Sequence, residues 1–235
     1  MTVLVGLGCK DGAVLACDSQ ETRVNYFRFW PKVSLLENGF VVLGAGNPTI
    51  TEVFARRLDA RFREVFKEER IDSSKASEVI EEVILSLAKE AGEDAVKERQ
   101  ILIGGVIQDG EICLWAIDSG EIYLREMRTW ECYGSGIDAA EMLMKDFYFP
   151  DVSIKEAVPL LAYVIHSVSE ICIDCGGPIS IVVIDNQGVR ELSRQEVDSV
   201  LSDVKPLLDR MRKELPRRMF KGEISEEHLK KITGE

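Results

Sequence analysis

The amino-acid sequence predicts an α+β protein in which two mainly antiparallel sheets pack face to face and helices cover both outer faces. Short apolar strand patterns come in runs, and long helical patterns come in pairs between those runs. The chain has 235 residues, 46% of them hydrophobic and 30% charged, which is enough for a substantial core. No internal repeat or linker interrupts the pattern, so we expect a single domain over 1–235 with a helical C-terminal extension at about 194–235.

A hairpin is expected at the start of the chain. The segments VLVGLGC (3–9) and AVLACD (13–18) are short and apolar, and Lys10-Asp11-Gly12 between them is typical of a turn. Most domains leave their first residues loose. Here the strand would hold Thr2 in a fixed place.

The remaining elements alternate between helices and strands. Apolar residues recur at helical spacing from Ile50 to Phe66 and again from Ser73 onwards, and Ser153-Ile-Lys-Glu156 is a capping box that marks a helix start. The aromatic stretch at 25–31 is expected to be irregular. Further strands are expected at 33–36, 40–45, 101–107, 111–117, 121–124, 128–133, 179–185 and 188–192. Further helices are expected to begin at Gly136 and Ser153 and to lie at 194–214 and 224–232.

The charge and hydropathy of the chain exclude several classes of partner. A formal net charge of −12 argues against nucleic acid or an anionic membrane surface. No apolar run approaches the roughly 20 residues that span a bilayer, and the first residues do not resemble a signal peptide. We therefore expect a cytoplasmic protein, whose six cysteines are mostly reduced.

The search for catalytic groups proceeds by elimination. Both histidines, His166 and His228, lie in helical patterns, and the sequence contains no G-x-S-x-G, Walker A or H-E-x-x-H motif. What remains is a set of polar residues at the ends of apolar strands: Thr2, Asp18, Lys32 and Ser135. Taken singly, Thr2 could be an ordinary strand residue, and Lys32 and Ser135 could be ordinary surface residues.

The spacing of these residues resembles that of proteasome β-type subunits and their bacterial relatives, which are threonine proteases of the N-terminal-nucleophile hydrolase class. That family has an acidic residue sixteen positions after its catalytic threonine, as Asp18 follows Thr2. It also has a lysine followed fourteen positions later by an oxyanion-hole glycine, as Gly46 follows Lys32. Gly134-Ser135-Gly136 is similar to the family's supporting serine. The resemblance implies a four-layer αββα sandwich.

Three departures from the family pattern concern the outer support of the nucleophile. Where the family has Ser-Gly-Gly, forty positions after the supporting serine, this chain has Cys175-Gly176-Gly177. The acidic residue three positions earlier is replaced by Cys172, and only Asp174 is close. The loop between Asp18 and Lys32 is also slightly shorter. These changes leave the predicted nucleophile and its charged partners in place.

The chemistry of an N-terminal threonine explains how the chain could hydrolyse amides without a histidine. A threonine hydroxyl needs a base. If Met1 is removed, the free amine of Thr2, with an ordinary pKa of roughly 8, can take the proton at neutral pH, whereas a lysine with a pKa of about 10.4 stays charged. Lys32 would stabilise alkoxide character, Asp18 would hold Lys32, and the N–H of Gly46 would face a developing oxyanion.

The resemblance therefore implies a threonine-type endopeptidase that cleaves unfolded polypeptides or peptides through an acyl-enzyme on Thr2, without a metal or organic cofactor. It also implies a homo-oligomer built as a ring, double ring or spiral, for which an ATPase regulator is a candidate partner. Two alternatives stay open at this point. The chain could be a catalytically inactive structural subunit of the same family, or a small-molecule amidase of the same hydrolase class.

Overall fold

Two five-stranded antiparallel sheets form the centre of the molecule in the computed structural model, which describes residues 2–23, 26–68, 72–107 and 110–220. The strands are β1 (Val3–Cys9), β2 (Gly12–Cys17), β3 (Gln20–Arg23), β4 (Tyr26–Phe29), β5 (Val33–Leu35), β6 (Phe40–Ala45), β7 (Gln100–Val106), β8 (Ile112–Ile117), β9 (Arg125–Glu126), β10 (Trp130–Gly134), β11 (Ser180–Asp185) and β12 (Gly188–Glu191). The first sheet has the order β10-β1-β2-β11-β12, and the second sheet has the order β5-β6-β7-β8-β9. Strands β3 and β4 pair only with each other among the described strands.

Alternation along the strands gives each sheet two apolar faces. In β1, Val3, Val5 and Leu7 belong to a cluster shared with helices, whereas Leu4 belongs to a cluster with residues of the second sheet such as Leu43. Successive side chains of a strand point to opposite faces, so this division follows directly from the sequence order. The Leu4 cluster is the layer between the two sheets.

Helices cover both outer faces of the two sheets. They are α1 (Pro48–Glu68), α2 (Ser73–Ala91), α3 (Glu93–Lys97), α4 (Ile137–Phe147), α5 (Ile154–Ile171) and α6 (Arg194–Phe220). Buried residues of α1 and α2 join the outer core of the second sheet, and those of α4 and α5 join the outer core of the first sheet. The result is the four-layer αββα arrangement that the resemblance implies.

Glu156 closes the first turn of α5 as the sequence predicts. Its carboxylate accepts a hydrogen bond from the backbone N–H of Ser153 at 2.9 Å. The bond satisfies one of the amide groups that a helix start leaves without a partner. None of the helices in the described ranges is long and apolar enough to cross a membrane.

Four local expectations need correction or fall outside the described residues. The stretch expected to be irregular lies partly in a β-hairpin, because Gln20–Arg23 pairs with Tyr26–Phe29. Residues 121–124, expected to form a strand, are not in one; the strand β9 is formed by Arg125–Glu126 and pairs with β8. Helix α6 continues to Phe220, beyond the expected end at residue 214. The helix expected at 224–232 lies outside the described residues.

Candidate active site

The pairing of β1 with β2 places Thr2 beside Asp18. Leu4 lies opposite Cys17, and the N–H of Asp18 donates to the carbonyl oxygen of Val3 at 3.2 Å. In an antiparallel hairpin this register brings the residue before one strand next to the residue after the other. The interval of sixteen residues noted in the sequence is therefore a consequence of hairpin geometry.

One carboxylate oxygen of Asp18 joins the predicted catalytic groups. Its Oδ1 accepts hydrogen bonds from Thr2 Oγ1 at 2.5 Å and from Lys32 Nζ at 2.6 Å. It also accepts the backbone N–H of Val3 at 3.0 Å. Thr2 Oγ1 and Lys32 Nζ thus lie side by side against a single oxygen atom.

The second carboxylate oxygen of Asp18 fixes the surrounding loops. Its Oδ2 accepts the N–H of Gly176 at 2.9 Å and the N–H of Gln20 at 3.3 Å. The carbonyl of Gly176 in turn accepts the N–H groups of Ser19 and Gln20. The role of Gly176 escapes prediction from the hairpin alone, because it lies 158 residues away from Asp18 in the chain.

The ion pair between Asp18 and Lys32 is buried, so it depends on the hydrogen bonds that surround it. Asp18 is fully buried, Thr2 is 2% exposed, and the side chain of Lys32 is 8% exposed. Hydrogen bonds to ionised groups are shorter and stronger than neutral ones, and a buried charge persists only when it is paired and hydrogen-bonded. Five donors on one carboxylate meet that requirement.

Ser135 and its two glycines surround the backbone of Thr2. The N–H of Thr2 donates to Ser135 Oγ at 3.0 Å, and the carbonyl of Thr2 accepts the N–H of Gly136 at 3.2 Å. Gly134 has a φ of +94°, and a Cβ atom there would lie 2.1 Å from the carbonyl oxygen of Thr2. The Gly134-Ser135-Gly136 segment therefore needs its first glycine in order to approach Thr2 this closely.

Gly46 lies at the end of β6, the strand that pairs with β5 just after Lys32. The N–H of Gly44 donates to the carbonyl of Lys32 at 3.3 Å, which ties the two segments together. Gly46 has a φ of +96°, and a Cβ atom there would lie 2.3 Å from the carbonyl oxygen of Glu98. Among the hydrogen bonds found within the described ranges, those at Thr2, Asp18, Lys32 and Ser135 do not include Gly46.

Cys175 occupies a position next to Ser135, at the outer edge of this cluster. Its Sγ lies 3.9 Å from Ser135 Oγ, and the residue is 3% exposed. Burial, together with a hydrogen bond to the Cys172 thiol and the charge of Asp18, raises the pKa of Cys175 to about 12. Asp174 lies half-buried in the same turn.

A cleft of roughly 290 Å³ opens beside Lys32. It lies between the segment before β5 and the first turns of α1. Its lining residues are Trp30, Pro31, Lys32, Val33, Ser34, Pro48, Thr51 and Glu52. Sequence reasoning misses this cleft, because its walls come from segments that only the packing of the second sheet against α1 brings together.

Similar proteins point to one family. A family model described as proteasome subunit matches residues 2–184. The chain is 29% identical over 208 residues to a proteasome subunit beta of Archaeoglobus profundus, a match that covers 87% of this chain and 94% of that protein. It is also 26% identical over 210 residues to a proteasome subunit alpha of Methanosphaerula palustris, covering 86% of this chain and 84% of that protein.

A solved structure supports the fold independently. The Anbu (Gly-1) mutant from Hyphomicrobium sp. strain MC1 superposes with a TM-score of 0.70 at 18% sequence identity. The match covers 88% of this chain and 96% of that one. The two molecules therefore share the four-layer arrangement.

Proposed function

Since the chain belongs to the proteasome subunit family, we propose that it is a threonine-type endopeptidase whose nucleophile is the hydroxyl of Thr2. One observation supports this above all others. Thr2 Oγ1 and Lys32 Nζ contact the same buried oxygen of Asp18, and the nitrogen of Thr2 contacts Ser135. An ordinary strand residue would not need a charged pair and a serine gathered around both ends of it.

The proposed reaction begins after Met1, which lies outside the described residues, has been removed. In the full chain the nitrogen of Thr2 is a peptide N–H, which cannot accept a proton, so the hydroxyl donates to Asp18 instead. Once free, the amine accepts the hydroxyl proton while Oγ1 attacks the carbonyl carbon of the scissile peptide bond. Lys32 stabilises the negative charge on Oγ1, and Asp18 orients Lys32 through the hydrogen bond of 2.6 Å that its Oδ1 accepts from Lys32 Nζ.

The tetrahedral intermediate then collapses to an acyl-enzyme. The N–H of Gly46 is the proposed donor to the oxyanion, since a glycine lets the backbone approach closely. The carbon–nitrogen bond breaks, the protonated amine of Thr2 gives its proton to the leaving nitrogen, and the ester on Oγ1 is hydrolysed by water. Ser135 positions the amine throughout. No metal or organic cofactor enters this scheme.

The proposed substrates are unfolded polypeptides or peptides, with one side chain seated in the cleft beside Lys32. The cleft adjoins the catalytic charge pair, and Trp30 and Glu52 give it one aromatic and one acidic wall. The cleft is continuous with the molecular surface, which suits an extended peptide chain, whereas a small-molecule amidase does not require such an opening. Comparing rates on fluorogenic peptides with rates on small amides separates the two activities.

Family membership indicates a multi-subunit assembly, and we propose a cytoplasmic homo-oligomer in the form of a ring, double ring or spiral. Inward-facing sites would protect folded proteins from a nucleophile that attacks peptide bonds. An ATPase that delivers unfolded chains is the proposed regulator. Light scattering that shows a stable monomer at micromolar concentration would contradict the assembly.

A catalytically inactive subunit is the second candidate function. Two observations favour it: the similarity extends to a proteasome subunit alpha as well as to beta subunits, and the outer support residues include Cys172 and Cys175. In that case Met1 would be retained and the charge pair would serve stability alone. The intact mass of the protein, purified from its native source, reports on Met1 directly.

The decisive experiment uses an epoxyketone, which needs both the hydroxyl and the amine of an N-terminal threonine to close its ring. Processed protein should be labelled at Thr2 and should cleave fluorogenic peptides. Thr2→Ala keeps the amine and should lose both labelling and cleavage, whereas Thr2→Ser keeps a hydroxyl and should retain measurable cleavage. If processed wild-type protein with a free Thr2 amine is neither labelled nor active, the inactive-subunit function replaces the proposal.

A further inference from the structure

Cys172 and Cys175 lie at opposite ends of a tight turn after α5. Cys172 caps the helix, where its N–H donates to the carbonyl of Val168 at 2.8 Å. The N–H of Cys175 then donates to the carbonyl of Cys172 at 3.1 Å, the bond that closes a four-residue turn. Such a turn brings its first and last Cα atoms within about 7 Å, and a disulfide spans about 4.4–6.8 Å.

The two thiols are neighbours, because Cys172 and Cys175 occupy the first and last positions of this turn. Cys172 also packs against the core cluster that includes Cys175. Both cysteines are free thiols in the structure. Disulfide formation would therefore require a small closing movement of two side chains that are already neighbours.

The two cysteines differ in how easily solution reaches them. Cys172 is half-buried and lies between two strongly exposed residues, Ile171 at 68% and Ile173 at 91%. Cys175 is 3% exposed. A small oxidant therefore reaches Cys172 first, and Cys175 is placed to react with whatever forms there.

The buried member of the pair contacts the support of the nucleophile. Cys175 Sγ lies 3.9 Å from Ser135 Oγ, which accepts the N–H of Thr2. The residue after it, Gly176, donates its N–H to Asp18 at 2.9 Å. A shift of Cys175 would therefore displace groups on two sides of Thr2. Ser135 contacts the nitrogen of Thr2, and Gly176 is bonded to Asp18, which contacts its hydroxyl.

We propose that Cys172 and Cys175 form a redox-active dithiol site that takes hydrogen peroxide or a small alkyl hydroperoxide as its oxidant, and that the disulfide form lowers the activity of the Thr2 site. The regulatory half of this proposal rests on the proposed peptidase function. The dithiol chemistry itself does not depend on it.

The reaction balances in two steps. The Cys172 thiolate attacks one oxygen of the peroxide, the O–O bond breaks, and the products are a sulfenic acid on Cys172 and one molecule of water or alcohol. The Cys175 sulfur then attacks the Cys172 sulfur, the S–S bond forms, and the sulfenic oxygen leaves as water with the Cys175 proton. The two sulfurs lose two electrons in total, and the peroxide gains them. A small thiol or dithiol reverses the oxidation by thiol–disulfide exchange.

The test uses full-length protein, treated with hydrogen peroxide under native conditions, alkylated, and mapped by mass spectrometry. We expect a peptide cross-linked between Cys172 and Cys175 that disappears after dithiothreitol. We also expect a roughly tenfold lower kcat for peptide hydrolysis in the oxidised form, because small displacements of a catalytic group are costly. Cys172→Ser should abolish the cross-link and the peroxide sensitivity of kcat. Cys9→Ser, which removes another half-buried thiol outside the turn, should preserve both.

The outcomes separate this inference from the proposed function. A cross-link in a protein without peptidase activity would sink the peptidase proposal and leave the dithiol chemistry standing. An active peptidase whose Cys172 and Cys175 are both still alkylated after peroxide treatment overturns the dithiol site. A cross-link with unchanged kcat overturns the regulation.

Discussion

At the scale of single residues, the carboxylate of Asp18 combines a proposed catalytic role with a structural one. It receives five hydrogen bonds in a fully buried position, from the side chains of Thr2 and Lys32 and from three backbone N–H groups. The backbone donors belong to β1, to the start of β3 and to the loop before β11. The same group therefore holds together three parts of the chain.

Asp18→Asn should lower the free energy of unfolding by roughly 3 kcal/mol, because removing one partner of a buried charge pair leaves unsatisfied polar groups. The asparagine side chain has one acceptor oxygen where the carboxylate has two. Its NH2 group would face N–H and ammonium groups that are themselves donors. Asp118→Asn is the matched control, since Asp118 is paired with Arg125 but its side chain is 39% exposed, and a loss below about 1 kcal/mol is expected there. Urea unfolding of both variants measures the difference, and equal losses would contradict the structural role of Asp18.

Gly46→Ala should cost roughly 2 kcal/mol more stability than Gly39→Ala, because overlap with a fixed backbone atom adds to the strain of a positive φ. Both glycines have a positive φ, +96° and +76°. Only at Gly46 would the new Cβ atom meet the backbone, 2.3 Å from the carbonyl of Glu98, whereas nothing lies within 4 Å at Gly39. Thermal unfolding compares the two variants, and similar melting temperatures would refute the prediction.

At the scale of secondary-structure elements, the parts that the sequence predicts correctly are those set by local periodicity. The hairpin of β1 and β2 follows from two apolar segments around a Lys-Asp-Gly turn, and the interval from Thr2 to Asp18 follows from that hairpin. Helix α3 escapes prediction because five residues are too few to show a helical period. The sequence does not predict the hairpin of β3 and β4, because Gln20–Arg23 has no alternation of apolar and polar residues.

The outer support of the site depends on contacts that no local pattern contains. Gly176 reaches Asp18 across 158 residues of chain, and the Gly134-Ser135-Gly136 segment reaches Thr2 across 133. The family resemblance places Ser135 and Cys175 in order along the chain. The thiol contact at 3.9 Å and the donor role of the Gly176 backbone come only from the packed structure.

The cleft between the segment before β5 and helix α1 should select the side chain of the substrate. Glu52→Gln removes its acidic wall and should lower kcat/KM about fivefold for peptides with arginine or lysine before the scissile bond, since one exposed ion pair contributes up to about 1 kcal/mol. Peptides with a neutral residue there should be unaffected. Glu111→Gln, which removes an exposed carboxylate outside the cleft, is the control. Equal effects on both peptide classes would rule out the proposed selection.

At the scale of the whole molecule, the first part of helix α6 packs against α5 and strand β11 of the first sheet, and its later part is exposed. Val197 is 1% exposed, and Val200, Leu201 and Val204 pack against the same core cluster. Further along, Leu207 is 58% exposed. The later part of α6 is therefore a suitable contact for a neighbouring subunit. That the whole chain folds as a single domain stays a prediction.

Deleting residues 219–235 should weaken assembly while leaving the melting temperature within about 2 °C of the wild-type value, because the packed part of α6 is retained. Light scattering measures the mass of the assembly, and circular dichroism measures the melting temperature. Val197→Ser, a change within the packed part, should instead lower the melting temperature by several degrees. An unchanged assembly after the deletion would show that this end of the chain serves its own subunit only.

Because Thr2 is buried in the folded molecule, Met1 must be removed before the newly synthesised chain has folded. The peptide bond before Thr2 must reach an aminopeptidase in extended form, yet in the folded molecule Thr2 is 2% exposed and fixed at its nitrogen by Ser135. Ser135 is synthesised 133 residues after Thr2, so at roughly 5–20 residues per second it emerges on the order of ten seconds later. We therefore expect Met1 to be removed within that interval. A chain that folds before it is trimmed would keep its methionine, and adding aminopeptidase to the refolded, untrimmed protein would leave its mass unchanged.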